Sequence, residues 1–378
     1  MSFYDVYLKY KDFPFEEYFL KISKNDIIDS LNKHEPEEED LLSLLSPQAE
    51  NFLETLASKA KDLTQQHFGK AIVLYTPLYL SNYCENECAY CGFNIRNNIP
   101  RKQLDFYELR KEAETIAKTG LKHILILTGE SKKITPLSYI KQCIEILNQY
   151  FSSVSIEIYT LSRQEYKELI SLGVDGLTIY QEVYNQESYN KLHLSGPKTD
   201  YRFRLDAPER ALMENMRTVN IGALLGLKDF RSESFFMLMH AYYLQHKYSQ
   251  AEISISVPRI RPQVDEFIPP SSVSDKNIVQ IITAARIFLP RIGITLSTRE
   301  NKELRDNLLP LGVTKMSAGS ITTVGGHTIC EPYDKKTSQF EIADKRGVSQ
   351  IKETLLNKGY QPVFKDWVGH VKDEKIKI

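Results

Sequence analysis

Ala71-Ile72-Val73-Leu74-Tyr75, with its extension toward Leu80, is the stretch at which the sequence changes character. β-Branched and aromatic residues in an unbroken apolar run read as a buried strand. The pattern recurs at 123–127, 154–159, 176–180, 221–225, 253–257, 294–297 and 314–318, with helical stretches between. Parallel strands need helical crossovers, and eight strands are the number at which such a sheet closes. Eight units in about 250 residues predict an α/β fold, a (β/α)8 TIM-type barrel over 71–320, in preference to an open doubly wound sheet.

The helices between the strands carry readable ends. Asp105 and Gly120 bracket one, Thr135-Pro136 opens the next, and Ser162-Arg163-Gln164-Glu165 is a capping box closed by Gly173. Pro208 blurs the helix between the fourth and fifth strands. Residues 1–70 read as an N-terminal helical extension, with Ser46 as N-cap and Pro47 at the first helical position ahead of Phe52, Leu53, Leu56 and Leu63. The run His34-Glu35-Pro36-Glu37-Glu38-Glu39-Asp40 reads as a solvated linker whose acids sit at a helix N-terminus, not as a metal site. After residue 320 the alternation stops. The stretch 321–378, with Gly325-Gly326, one helix near 347–358 and Lys365-Asp366-Trp367, is expected to form a C-terminal cap or lid on the barrel.

Across 378 residues, 42% hydrophobic and 26% charged side chains give the balance of an ordinary globular protein. A net charge of −1 and the lack of a Lys/Arg-rich run leave nothing to attract a polyanion, so nucleic acid is not an expected partner. No apolar run approaches the roughly 20 residues needed to span a bilayer. Met1-Ser2-Phe3-Tyr4-Asp5 also lacks a basic region followed by an apolar stretch, so a cytoplasmic location without membrane association is expected. Five cysteines, three of them between 84 and 91, do not resemble a disulfide framework and point to metal or redox chemistry in a reducing compartment.

Those three lie in the loop after the first strand, Ser81-Asn82-Tyr83-Cys84-Glu85-Asn86-Glu87-Cys88-Ala89-Tyr90-Cys91-Gly92-Phe93. A cubane cluster has four irons, so three thiolates leave one iron open to a small molecule. A closed zinc site would need a fourth ligand, and His67 and His123 fall well outside finger spacing. The C-x3-C-x2-C motif with Tyr90 before its last cysteine resembles the signature of the radical S-adenosylmethionine enzymes. The resemblance implies a 4Fe–4S cluster held by Cys84, Cys88 and Cys91, whose open iron chelates S-adenosylmethionine. One electron then releases a 5′-deoxyadenosyl radical into the barrel mouth.

Thr128-Gly129-Glu130, ending the second strand, resembles that family's Gly-Glu segment, so Gly129 and Glu130 are expected at the cofactor's amino group. In Tyr201-Arg202-Phe203-Arg204-Leu205, Arg204 resembles the arginine that pairs with the cofactor carboxylate, a task suited to a bidentate guanidinium, with Arg202 as its rival. Polar residues also gather where strands end: Glu157 and Tyr159, Gln181 and Glu182, Arg259 and Arg261, Ser297 and Arg299, Ser317 and Ser320. In a barrel these ends build one mouth, and charges there need partners. Tyr90, Glu157 and Glu182 are expected on the cofactor side. Arg299 and Ser317 are expected on the substrate side, Arg299 binding a carboxylate unless Glu300 or Glu303 holds it.

The chain as a whole resembles the ThiH family of tyrosine lyases, the 2-iminoacetate synthases of bacterial thiamine biosynthesis. The matching stretches are Tyr79-Leu80-Ser81-Asn82, Tyr180-Gln181-Glu182-Val183-Tyr184, Leu296-Ser297-Thr298-Arg299-Glu300 and Lys365-Asp366-Trp367. The resemblance implies hydrogen-atom removal from the amino group of L-tyrosine and Cα–Cβ scission to 2-iminoacetate and, through a 4-hydroxybenzyl radical, p-cresol. It further implies thiazole synthase (ThiG) as the consumer of the imine and a flavodoxin- or ferredoxin-type reductant. The HydG-type tyrosine lyases carry a second cluster on extra cysteines, whereas here the tail has only Cys330, and Cys143 reads as a buried structural thiol. A tryptophan lyase shares the same barrel, and a closed iron–sulfur electron carrier is the non-enzymatic alternative.

Overall fold

The computed structural model of the protein describes residues 2–265, 267–329 and 336–365. The strands are β1 (Ala71–Ser81), β2 (His123–Thr128), β3 (Ser153–Glu157), β4 (Val174–Glu182), β5 (Thr218–Ala223), β6 (Glu252–Ser256), β7 (Gly293–Leu296), β8 (Lys315–Ser317) and β9 (Gln361–Val363). The first eight pair in chain order, all parallel, and β8 pairs with β1, closing the barrel. All eight expected strands are present. The fifth lies three residues earlier than expected at its start, because Thr218 and Asn220 are polar and broke the apolar run. Asn220 bonds Ser256 Oγ at 2.9 Å and accepts from Ser254 Oγ at 3.0 Å, the pairing that buried polar groups require.

One strand was not anticipated. β1 has eleven residues but meets β2 only from Thr76 onward, leaving the edge of its first residues bare. β9 fills it, with Ala71 opposite Gln361, and an unpaired strand edge is thereby covered.

The N-terminal extension is helical as expected: Phe3–Tyr10, Phe15–Lys21, Lys24–Asn32, Glu38–Leu45 and Leu53–Phe68. Ser46 does cap the turn that Pro47 opens, but Pro47–Phe52 is 3-10 helix and the α-helix starts after it. The acidic run is not uniformly solvated. Asp40 is buried and accepts from Ser30 Oγ, Lys33 Nζ and the Glu37 amide at 2.7–2.8 Å, so it anchors two helices. Cys143 is fully buried in its helix. Pro208 sits in the first turn of Ala207–Leu212, where its missing N–H costs nothing, and Tyr201–Leu205 is a separate short helix before it. Cys330, Asp366 and Trp367 lie outside the described residues. Among the described residues no helix is long and apolar enough to cross a membrane.

The segment 336–346 crosses the barrel's C-terminal end and is pinned by a buried ionic network. Asp344 pairs with Arg305, which is fully buried and also donates to the Ser317 carbonyl, and with Arg346, which reaches Asp306 at 2.9 Å. Removing one member of such a set leaves a charge without its counter-charge. Asp344→Asn is therefore expected to cost about 2 kcal/mol in equilibrium denaturation, within the range for a weakened buried charged hydrogen bond. A loss below about 0.5 kcal/mol, the scatter of surface changes, would contradict this role.

Candidate active site

The cysteine loop leaves β1 and is moulded against the end of β2. The Gly129 amide donates to the Ser81 carbonyl at 2.9 Å and the Glu85 amide to the Glu130 carbonyl at 3.0 Å. A Cβ at 129 would lie 2.3 Å from the Tyr83 carbonyl oxygen and 3.1 Å from Cys84 Cβ, so only glycine admits the loop this closely. Arg101 clamps the far side, donating to the carbonyls of Asn82, Phe93 and Asn94 at 2.6–2.9 Å. Cys88 is buried, Cys84 and Cys91 are half-buried, and a turn from the Cys91 amide to the Cys88 carbonyl joins the last two.

Burial pushes all three thiols up, Cys84 to about 11, and each of Cys84 and Cys88 also feels the charge of Cys91. Among the described residues no three Cys, His, Asp or Glu side chains converge tightly enough to hold a single metal ion. A cubane spreads its thiolates over separate irons, and three thiols on one loop, near enough to feel one another's charge, have the chemistry to hold one.

Beside the loop stands a buried group of charges. Arg204 donates through Nε to the Tyr180 carbonyl and through Nη1 to Glu130 Oε1, both at 2.8 Å, and its Nη2 lies 3.7 Å from Glu182 Oε1. Lys198 Nζ donates to Glu182 Oε1 at 2.6 Å. Asn86, inside the cysteine loop, donates to Glu130 Oε2 at 2.9 Å and accepts the Lys198 amide at 2.8 Å. Burial alone would raise the Glu182 carboxyl, but Lys198 and Arg204 outweigh it and hold it below its ordinary value.

Local backbone geometry aims Glu182 at this group. It has a positive φ of 70° where the register of β4 against β5 slips, a conformation that a non-glycine residue keeps only when its surroundings fix it. The buried Glu233 carboxylate grips the following turn by accepting the Tyr184 and Asn185 amides. Arg202, the rival of Arg204, points outward to Asp206, Ser2 and the face of Tyr4.

Tyr90 is buried, and its hydroxyl lies 2.7 Å from His193 Nε2. His193 Nδ1 lies 2.8 Å from the Tyr189 carbonyl, which can only accept. Nδ1 therefore carries the proton and Tyr90 donates to Nε2. Burial and Lys198 push the imidazole down to about 3, so it is neutral. Tyr90 thus supports the cysteine loop from behind.

On the other side of the mouth is a cavity partly open to solvent, lined by Tyr75, Tyr79, Glu157, Tyr180, Arg299 and Ser317 among others. Arg299 is not taken by Glu300, which pairs instead with Arg259. Its guanidinium lies 3.4 Å from the centre of the Phe340 ring and it makes no ion pair among the described residues. Ser317 Oγ accepts the Thr298 amide at 3.0 Å. Tyr159 turns away to the Thr135 carbonyl.

Sequence reasoning missed Asn86, Lys198 and His193, and it did not foresee that Gln339 and Phe340 form part of the wall. Tyr79 donates to Gln339 Oε1 at 2.7 Å. A Cβ at Gly92 would fall 2.4 Å from the Gln339 carbonyl oxygen, so the C-terminal segment lies directly on the cysteine loop. Only Asn86, within the cysteine motif, carried a signal that could have been read.

Comparison with known proteins agrees with this geometry. Residues 78–236 match the family model of the radical SAM superfamily, and residues 256–361 match that of the biotin and thiamin synthesis associated domain. The chain is 38% identical over 343 residues, 90% of each sequence, to the 2-iminoacetate synthase of Escherichia coli (strain K12), and equally to that of Salmonella typhimurium (strain LT2). Among solved structures, the FeFe-hydrogenase maturase HydG from Carboxydothermus hydrogenoformans superposes with a TM-score of 0.82 at 32% identity, covering 96% of this chain and 83% of that one.

Proposed function

Because this chain belongs to the 2-iminoacetate synthase family of radical S-adenosylmethionine enzymes, we propose that its barrel mouth cleaves the Cα–Cβ bond of L-tyrosine to 2-iminoacetate and p-cresol for thiamine biosynthesis. The observation that carries the reading is the mouth's two halves. The buried charges of Glu130, Glu182, Lys198 and Arg204 lie against the cysteine loop, and across from them a tyrosine-lined cavity presents the Arg299 guanidinium.

In this reading Cys84, Cys88 and Cys91 hold the cluster. A reduced 4Fe–4S cluster with S-adenosylmethionine supplies, when bound, a carbon-centred radical able to take a hydrogen atom. Glu130, backed by Asn86, offers a carboxylate to the cofactor's amino group, and Arg204 offers its fork to the cofactor's carboxylate. Gly129 lets the loop approach, while Tyr90 and Glu182 hold the loop and the arginine in place. Arg299 receives the substrate carboxylate, with Ser317 fixing the wall beside it. Phe340 and Gln339, as part of a C-terminal cap over 321–378, keep water from the reacting atoms. Thiazole synthase is the expected consumer of the imine, and a flavodoxin- or ferredoxin-type protein the expected electron donor.

Anaerobic reconstitution with iron and sulfide, then dithionite, S-adenosylmethionine and tyrosine, is expected to yield 5′-deoxyadenosine and p-cresol. Product from tryptophan alone would overturn the phenol assignment. Reconstituted protein that forms no 5′-deoxyadenosine above background would overturn the enzyme reading in favour of a closed electron-transfer cluster.

A further inference from the structure

The three acids expected beside the cofactor do not stand together. Glu130 and Glu182 belong to the buried charge group, whereas the Glu157 side chain makes no ion pair or hydrogen bond among the described residues and lines the cavity with Tyr75, Tyr79, Tyr180 and Arg299. The charges that act on it come from both halves of the mouth: Glu182, Arg204 and Lys198 from one, Arg299 from the other.

An amino-acid substrate carries its amino group and carboxylate on one carbon. With the carboxylate on Arg299, the amino group must turn toward the cofactor half, where the hydrogen atom leaves. It then falls in the space that Glu157 faces. At neutral pH that amino group arrives as an ammonium. A hydrogen atom leaving an ammonium would strand a positive charge on the nitrogen radical, so one proton must be removed first.

We propose that Glu157 is the base that takes this proton from the substrate's α-ammonium group before the hydrogen atom leaves the same nitrogen. The proposal rests on the amino-acid lyase reading given above. The N–H bond breaks with its electron pair left on nitrogen, the proton bonds to a carboxylate oxygen, and ammonium plus carboxylate become amine plus carboxylic acid. No electron is exchanged with anything else.

Burial, reinforced by the Glu182 charge, pushes the Glu157 carboxyl up to about 8. That is nearer the range of an amino-acid ammonium than an ordinary carboxylate is, so the proton transfer runs less steeply uphill. The facing groups are compatible. Tyr75 and Tyr79 of β1 and Tyr180 of β4 are raised by burial and stay neutral hydroxyls, while Arg204 and Lys198 of the β4–β5 crossover and Arg299 after β7 are cations.

The test compares the reconstituted holoenzyme with Glu157→Gln and Glu157→Asp. In Glu157→Gln, S-adenosylmethionine affinity is expected to stay within about twofold, while kcat/KM for p-cresol formation falls about 10²- to 10⁴-fold at pH 7, the span of general-base catalysis. Only the ionised carboxylate can accept the proton, so the wild-type rate should climb with pH and level off near 8. The variant's rate should go on climbing above that pH as the free amine form of the substrate accumulates, and Glu157→Asp should restore part of the loss. Independently of turnover, the infrared absorption of a protonated carboxyl should disappear from the wild type as pH rises through about 8 and be missing from Glu157→Gln.

Equal loss of cofactor binding would make Glu157 a cofactor ligand and overturn the proposal. So would p-cresol formation within about threefold of wild type with an unchanged pH profile. If the wild type acts on tryptophan instead, the phenol assignment fails and the same comparison on tryptophan decides the base. Wild-type enzyme inert toward both overturns the lyase reading and the base with it.

Discussion

Gly129→Ala is expected to leave a folded barrel that cannot assemble its cluster correctly. The added Cβ would stand 2.3 Å from the Tyr83 carbonyl oxygen, well inside van der Waals contact, and the obstacle is backbone rather than a movable side chain. The loop must retreat from the end of β2, breaking the bonds from Gly129 to Ser81 and from Glu85 to Glu130 that fix its height. Overpacking of this kind costs about 1–3 kcal/mol, which a barrel of this size survives. The chemistry is less forgiving, because a displacement of about 1 Å at a reacting centre can cost on the order of 10²-fold. The measurements are iron and sulfide content after anaerobic reconstitution, and p-cresol formation. Full cluster loading together with activity within about threefold of wild type would show that the loop does not need this contact.

Arg204→Gln is expected to have the largest effect on cofactor affinity. The guanidinium bonds the Tyr180 carbonyl and Glu130 and approaches Glu182, and lysine cannot reproduce that fork. Without it, among the described residues the Glu130 carboxylate keeps Asn86 as its bonded partner and the Glu182 carboxylate keeps Lys198. Stripping one partner from a buried ionic set costs about 3–5 kcal/mol, equivalent to roughly 10²- to 4 × 10³-fold in an equilibrium constant. S-Adenosylmethionine affinity is expected to fall by at least about 100-fold, with a lowered melting temperature.

Arg202→Gln is the internal control. Its ion pair with Asp206 and its stacking on Tyr4 are half-exposed, so the expected cost is below about 1 kcal/mol, with no change in cofactor binding. Equal damage from both substitutions would mean that the short helix as a whole, and not the Arg204 fork, is what matters.

The eight strands, the capped helices after them and the cysteine motif were legible because each is written in consecutive residues. Apolar runs mark strands, Asp105 and Ser162 mark helix starts, and three thiols within eight residues mark one loop. The choice between Arg202 and Arg204 was not legible. Two residues in one short helix differ in sequence by almost nothing, while one side chain reaches Glu130 beyond the end of β2 and the other reaches Ser2. Glu157 shows a similar limit: its position at a strand end is legible, but which half of the mouth it serves depends on how β3, β4 and the segment after β7 lean together.

What the sequence determined by itself was the barrel and the cysteine loop at its mouth, for which local patterning and a short motif suffice, while the family came from resemblance along the whole chain. Tertiary structure alone decided that Glu130 meets Arg204 across 74 positions, that Lys198 from a crossover neutralises Glu182, and that Gln339 crosses 260 positions to reach Tyr79. The physical reason is that buried charges must find counter-charges wherever the closed sheet brings them. That closure brings together residues whose separation along the chain carries no trace of the pairing.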